Sequence, residues 1–229
     1  LSRMTGKGGI VESLTSGQLK EYRLKDGQHI PMLREVLELV DGRVPLLIEI
    51  KFRRAFNERQ GEVLLEQLES YPYKDMVAMQ SFHPKIVRWL KAHSNDYAVG
   101  YLSSYNLLKN HRFISYVLRT LKLYRWYMHA DFISYDIAYL PNRYVAKKRR
   151  HGVQVLAWTV NTPERVSKAV NFADNIIFAC VELLIAAQIL PAVLRTEGLI
   201  KISIFNIVLV AEHQIDDIRR TCRVAISPA

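Results

Sequence analysis

Six short apolar runs, separated from one another by stretches of helical periodicity, narrow the folds open to this 229-residue chain. The runs cover 45–50, 76–80, 98–102, 131–135, 153–160 and 175–178. Helical patterns cover 57–70, 84–94, 106–127, 141–151 and 163–172. Strict alternation of this kind predicts a parallel sheet with right-handed crossovers. The runs are apolar almost throughout, as strands buried on both faces are. Pro84, Pro141 and Pro163 stand where first helical positions are expected. Thr162 reads as an N-cap, and Thr15 with Gln18 as a capping box. No Gly-x-Gly-x-x-Gly turn follows a strand, and six units exceed one mononucleotide-binding half. A (β/α) barrel is therefore expected over a dinucleotide fold.

In such barrels the chemistry lies at the C-terminal ends of the strands. The run Leu47-Ile48-Glu49-Ile50-Lys51 ends the first strand with an acid and a base two residues apart. Alternation puts Glu49 and Lys51 on one face and Ile48 and Ile50 on the other. Charges on an apolar strand are costly to desolvate unless they pair, bind an ion or face a wet cavity. An internal salt bridge and a site are thus the two readings. Gln80, Ser81 and Phe82 end the second strand, and Trp158 to Asn161 the fifth. Each has a bland alternative: Gln80 satisfying backbone groups, Trp158 filling core, Asn161 shaping a turn. Their shared position at strand ends favours a site.

The formal net charge of +10 favours anionic partners, whether phosphate compounds, a membrane surface or nucleic acid. No zinc-finger or RNA-recognition pattern accompanies it, and a nucleic-acid role is not expected. Lys147-Lys148-Arg149-Arg150 reads as the solvated end of a helix. The two cysteines, Cys180 and Cys222, form no CxxC, which fits a reducing compartment and a cytoplasmic protein.

Taken in order, these segments resemble the glycerophosphodiester phosphodiesterase family. Arg3-Met4-Thr5-Gly6 resembles its Arg-Thr-Thr-Gly loop, and Ile30-Pro31-Met32-Leu33-Arg34-Glu35-Val36-Leu37 its Ile-Pro-Thr-Leu-Glu-Glu-Val-Leu segment. Ile48-Glu49-Ile50-Lys51, Gln80-Ser81-Phe82, Trp158-Thr159-Val160-Asn161 and Ala173-Asp174-Asn175-Ile176-Ile177-Phe178 follow. The resemblance covers roughly residues 1–178. It implies a TIM barrel that hydrolyses glycerophosphodiesters to an alcohol and glycerol 3-phosphate with a divalent metal, Mg²⁺ or Ca²⁺. It further implies Glu49 as a metal ligand and Lys51 as the catalytic, phosphate-holding cation. Gln80 and Trp158 would line the substrate pocket, the tryptophan against the glycerol or alcohol group.

The family's His-Arg-Gly, Glu-x-Asp and His-Asp motifs have no counterpart in the chain. The expectation is a barrel lacking its first two strands, either a truncated enzyme or a remnant of low activity. The alternative function is a non-catalytic barrel that binds phosphodiesters or anionic lipid. The seven histidines read as surface or helix-end residues, with His83, beside Gln80-Ser81-Phe82, the one nearest the expected pocket.

Residues 179–229 are expected to form a closing helix and a divergent tail. The 19-residue run 176–194 contains 11 Leu, Ile, Val and Phe residues but also Glu182, Gln188 and Pro191. On an insertion scale its apolar residues contribute roughly −5 kcal/mol, and one central acid offsets about 3 of that. Glutamine and proline bring the sum near zero, so a buried helix is favoured over a membrane span, with membrane association the lesser reading. The alternation Ile200, Ile202, Ile204 against Lys201 and Ser203 predicts a tail strand. That strand is expected on the open edge of the last barrel strand, or against a second copy.

Overall fold

A computed structural model describes residues 1–51, 58–104, 129–178 and 205–207 of the chain. The chain divides into two compact units, one holding Leu1–Arg43 and the other Val44–Asn206.

In the first unit, α1 (Ser2–Thr5) is a single turn closed by Gly6 at φ 70°. This left-handed conformation suits glycine, which has no Cβ to clash. The family-like Arg-Met-Thr-Gly segment is thus a helical turn and its cap. Before α2 (Ser16–Leu19), the Thr15 hydroxyl accepts from the Gln18 N–H at 3.3 Å, and Gln18 Oε1 accepts from the Thr15 N–H at 2.9 Å. This is the capping box read from the sequence. α3 (Leu33–Val40) buries Val36, Leu37 and Val40, spaced to form one face.

The second unit contains all six expected strands. They are β1 (Leu46–Glu49), β2 (Val77–Ser81), β3 (Ala98–Ser103), β4 (Phe132–Asp136), β5 (Gln154–Val160) and β6 (Asn175–Phe178). Each pairs in parallel with the next in chain order. The described helices between them are α4 (Glu58–Glu69), α5 (Pro84–His93), α6 (Arg143–Arg150) and α7 (Pro163–Phe172). The helical stretch expected over 106–127 lies outside the described residues.

The caps follow local chemistry. Pro84 and Pro163 occupy the first turns of α5 and α7, and Thr162 Oγ1 accepts from the Arg165 N–H at 3.3 Å. Pro141 does not begin α6, contrary to the expectation. Asn142 intervenes as the N-cap, its Oδ1 accepting from the N–H groups of Tyr144 and Val145. A short side-chain acceptor at the cap satisfies two free donors, which proline at that position could not do.

Alternation sorts the strand residues onto two faces. Ile133, Tyr135, Val155 and Ala157 point outward and pack with Val145, Val166 and Ala169 of α6 and α7. Leu47, Ala78, Phe132, Leu156 and Ile177 point inward and form one cluster. An inward contact shows that the sheet curls. Neighbouring strands lie about 4.8 Å apart, so β2 and β5, three places apart, would be about 14 Å apart if flat. Yet the Phe82 and Trp158 rings meet with centroids 5.4 Å apart. Curling a parallel sheet with helices outside it is the geometry of a TIM barrel wall.

Gly100 belongs to this inner layer, paired between Gln80 and Phe132. A Cβ there would lie 2.1 Å from the Phe132 ring, so the ring fills the space that a side chain would take.

The tail contributes a three-residue strand, β7 (Phe205–Ile207), that neighbours β1 in the sheet order rather than β6. This corrects the expected edge. Without β7, β1 would be paired only on its β2 side, so its other edge would offer unpaired backbone groups in the same way. The closing helix expected from residue 179 onward lies outside the described residues. Among those described, no helix is long and apolar enough to cross a membrane.

Candidate active site

The inward faces of β1, β2, β4 and β5 bring their C-terminal polar residues together. β1 delivers Glu49, whose Cα partner on β2 is Gln80. Because the strands are parallel and in register, both side chains enter the same concave face. Glu49 is nearly enclosed, with a side chain 7% exposed. Its Oε2 lies 3.5 Å from Lys51 Nζ, which confirms that the two charges share a face. Its Oε1 is buried and has no hydrogen-bond partner. Burial pushes the Glu49 carboxyl above the ordinary carboxylate range, and the Lys51 charge and hydrogen bond only partly oppose this. Lys51 itself is 53% exposed, so its ammonium reaches solvent while paired with Glu49.

Gln80 is fully buried. Its Oε1 accepts from the Ser134 hydroxyl at 2.6 Å, and its Nε2 has no partner. A buried acceptor on Glu49 and a buried donor on Gln80 thus stand unpaired on register partners. Such groups cost about 1–3 kcal/mol each when left unsatisfied, which makes these strand ends the candidate site.

Trp158 closes the other side. Its indole Nε1 donates to the Ser134 carbonyl at 3.1 Å, and its ring meets Phe82 edge-on at 85°. Ser134 is therefore the common tie: its hydroxyl holds Gln80 and its carbonyl holds Trp158. Sequence reading missed it. Two places on, Asp136 faces the same side and is the Cα partner of Trp158. Its Oδ2 accepts from the Ser104 hydroxyl at 2.8 Å and its Oδ1 from the Ala138 N–H at 3.0 Å. The available signal was the alternation of polar residues in Phe132-Ile133-Ser134-Tyr135-Asp136, the same pattern that selected Glu49 and Lys51.

Ser81 points the other way, its hydroxyl donating to the Ile50 carbonyl at 2.8 Å and accepting from the His83 N–H at 3.1 Å. It fixes the turn out of β2. Asn161 Oδ1 accepts from Arg165 at 2.9 Å, a turn-shaping role. His83 caps α5, with a buried, unpartnered Nδ1. Burial, aided by Lys85, lowers its pKa, so the ring is neutral at neutral pH. His29 pairs with Glu35, His93 stacks on Trp89, and His129 and His151 are exposed, as surface histidines should be. His111 and His213 lie outside the described residues.

Among the described residues no group of three His, Cys, Asp or Glu side chains is placed to hold a metal. The unpartnered Glu49 oxygen fits as one ligand of an oxygen-preferring dication. Mg²⁺ commonly takes one or two carboxylates and fills its remaining positions with water and substrate phosphate.

The fold has counterparts among known proteins. The model of the glycerophosphoryl diester phosphodiesterase family matches residues 1–178. A glycerophosphodiester phosphodiesterase of Bacillus altitudinis is 34% identical over 92 residues. That match takes in 36% of this chain and only 38% of the relative's length. Solved structures with the same fold include an Oleispira antarctica phosphodiesterase in complex with the product sn-glycerol-3-phosphate. It has a TM-score of 0.66 at 20% identity, over 78% of this chain and 72% of that one. A glycerophosphodiester phosphodiesterase from Thermotoga maritima gives 0.59 at 23% identity, over 81% and 75%. With the family model spanning residues 1–178, well over half of the chain, the chain belongs to the glycerophosphoryl diester phosphodiesterase family.

Proposed function

We propose that this chain carries a phosphodiesterase site that converts glycerophosphodiesters to an alcohol and glycerol 3-phosphate. The observation that supports it best is the unpaired set at the strand ends: Glu49 Oε1 and Gln80 Nε2, both buried, beside a half-exposed ammonium. A bound phosphodiester offers acceptors to the two donors, while Glu49 Oε1, itself an acceptor, is left for a cation. The diester's anionic oxygens accept from Gln80 Nε2 and from Lys51. Its glycerol or alcohol arm lies against the wall made by Trp158 and Phe82.

In the reaction, water attacks phosphorus, the P–O bond to the alcohol breaks, and a proton from the water ends on the departing oxygen. Negative charge builds on the equatorial oxygens. Lys51 stabilises that charge from a flexible stem and can turn from Glu49 towards the phosphate. Gln80, held by Ser134, supplies a fixed donor that needs no reorganisation. Burial of Gln80 keeps its interaction out of bulk water, where it would be weaker. Glu49 is the residue that would hold Mg²⁺ or Ca²⁺. When bound there, the ion supplies charge neutralisation at the phosphoryl oxygens.

The test is glycerol 3-phosphate release from glycerophosphoethanolamine, titrated with Mg²⁺ and with Ca²⁺, for the chain and its Glu49→Gln variant. Release that saturates with one cation and loses that dependence in the variant supports the proposal. Release independent of added cation and unchanged in Glu49→Gln removes Glu49 from the reaction.

A further inference from the structure

The outer wall of the sheet carries a charge pattern that the strand ends do not use. α6 holds five Lys and Arg residues in eight positions, Arg143, Lys147, Lys148, Arg149 and Arg150, and no acid. Its buried residue is Val145, which packs on the outward-facing strand residues. Arg143, Lys147 and Arg150, spaced by four and three, fall on one face turned away from the sheet, and all three are exposed. Arg149 is neutralised by Asp174 at 2.7 Å. Among the described residues none of Arg143, Lys147 and Arg150 pairs with an acid. Residues 140–173 contain seven Lys and Arg against one acid, Glu164, so the surroundings leave the charge standing. A helix C-terminus carries about half a negative charge, which the four cations of the last turn far exceed.

The same surface exposes apolar material. Beside the basic face lies a groove of about 390 Å³, the volume of a small-molecule site, whose walls include Leu140, Pro141, Arg150 and Phe172. Phe172 is 38% exposed. Tyr144 flanks the basic face on its other side, 51% exposed, with Lys148 Nζ 5.5 Å from its ring centroid. Cations flanked by aromatic rings suit a helix lying on an anionic bilayer: the charges reach the headgroups and the rings enter the interface. A nucleic acid duplex would use the charges through its phosphates but would leave Phe172 and the Leu140–Pro141 wall without an apolar partner.

We infer that this face of α6 docks on an anionic membrane surface, with Arg143, Lys147 and Arg150 on the headgroup layer and one lipid headgroup seated beside Phe172 in the groove. α6 stands outside the sheet, whereas Glu49, Gln80 and Trp158 face its concave side. Docking therefore leaves the strand ends open to water-soluble diesters, and the two activities use separate residues.

The experiment is co-sedimentation of the full chain with vesicles of phosphatidylcholine alone and of phosphatidylcholine mixed with phosphatidylglycerol. It is repeated with Lys147→Gln/Arg150→Gln and with a control, Lys20→Gln/Lys25→Gln, an exposed basic pair in the first unit. The unaltered chain should sediment with the anionic vesicles and not with the neutral ones. Each basic residue at an anionic surface is worth about fivefold in affinity, so the α6 pair should weaken binding about 30-fold. The control pair, outside the contact, should stay within about twofold. Phe172→Ser keeps every charge and should still weaken binding about three- to fivefold, and an unchanged affinity would overturn the groove as the lipid seat. No sedimentation of the unaltered chain with anionic vesicles overturns the inference whatever the variants do. Equal losses in both basic pairs overturn it too, because they assign binding to the net charge of +10 rather than to α6. So does binding to a DNA duplex that is tighter than to vesicles and is lost in the α6 pair, which would make the surface one for nucleic acid.

Discussion

Replacing Glu49 with glutamine should make the protein more stable at neutral pH while impairing its site. Two terms decide the sign. The first is the Lys51–Glu49 attraction at 3.5 Å. A unit pair at that distance is worth about 1 kcal/mol in water-like surroundings and about 5 kcal/mol at an effective dielectric constant near 20. With Lys51 half exposed, the lower figure applies, and exposed pairs contribute about 0–1 kcal/mol. The second term is burial of a carboxylate whose Oε1 has no partner. An unsatisfied buried polar group costs about 1–3 kcal/mol, and a charged one more. Burial wins, in agreement with the upward displacement of the Glu49 pKa.

Glu49→Gln should therefore gain about 1 kcal/mol, or roughly 2–4 °C in Tm for a domain of this size. The pH dependence follows from linkage. A carboxyl whose folded pKa is raised holds its proton in the native state at pH values where the unfolded chain has lost it. The unaltered protein thus loses stability as pH rises from the ordinary value of 4.5 through the raised folded value. Thermal unfolding of both proteins between pH 4 and pH 8 reads this directly. The gain should vanish below about pH 4.5, where glutamate is neutral in both states, and grow as pH rises above that value. A variant that is less stable at pH 7, with a deficit that grows with pH, would mean that Glu49 is half of a structural ion pair.

Other residues should respond in distinct ways. Ser134→Ala strips the acceptor on Gln80 of its donor and should cost about 1–3 kcal/mol of stability by chemical denaturation. It should also weaken glycerol 3-phosphate binding, and combined with Gln80→Ala the two losses should be non-additive, because one acts through the other. Additive losses would separate the two residues. Gly100→Ala should destabilise by about 1–3 kcal/mol, since its Cβ collides with the Phe132 ring. An unchanged midpoint would mean that the ring moves aside freely.

What could be read from sequence was whatever local pattern controls. Strand runs, the Thr15 and Thr162 caps and the shared face of Glu49 and Lys51 depend on residues within a turn or a strand of one another. Pro141 shows the limit: proline tolerates a first helical position, but the neighbouring Asn142 makes the better cap. Ser134 became visible only with the curl of the sheet, which sets β4 against β2 across β3. Asp136 was hidden by a single boundary residue. Ending the strand at Tyr135 leaves it in a loop, whereas in β4 it continues the inward series of Phe132 and Ser134. The tail strand chose the β1 edge because two edges were open and hydrophobic pattern does not distinguish them.

The central claim is that these strand ends break a phosphodiester with Lys51 stabilising the charge that develops. Phosphorus NMR follows it without coupling enzymes, because the diester and monoester resonances are separate. With glycerophosphoethanolamine and added Mg²⁺ or Ca²⁺, the chain should convert the diester signal to that of glycerol 3-phosphate. Lys51→Met should slow conversion by about 10²–10³-fold, as loss of one charge-stabilising donor does in other sites. Conversion at equal rates in both proteins, or a diester signal that never changes with the folded chain, would contradict the account.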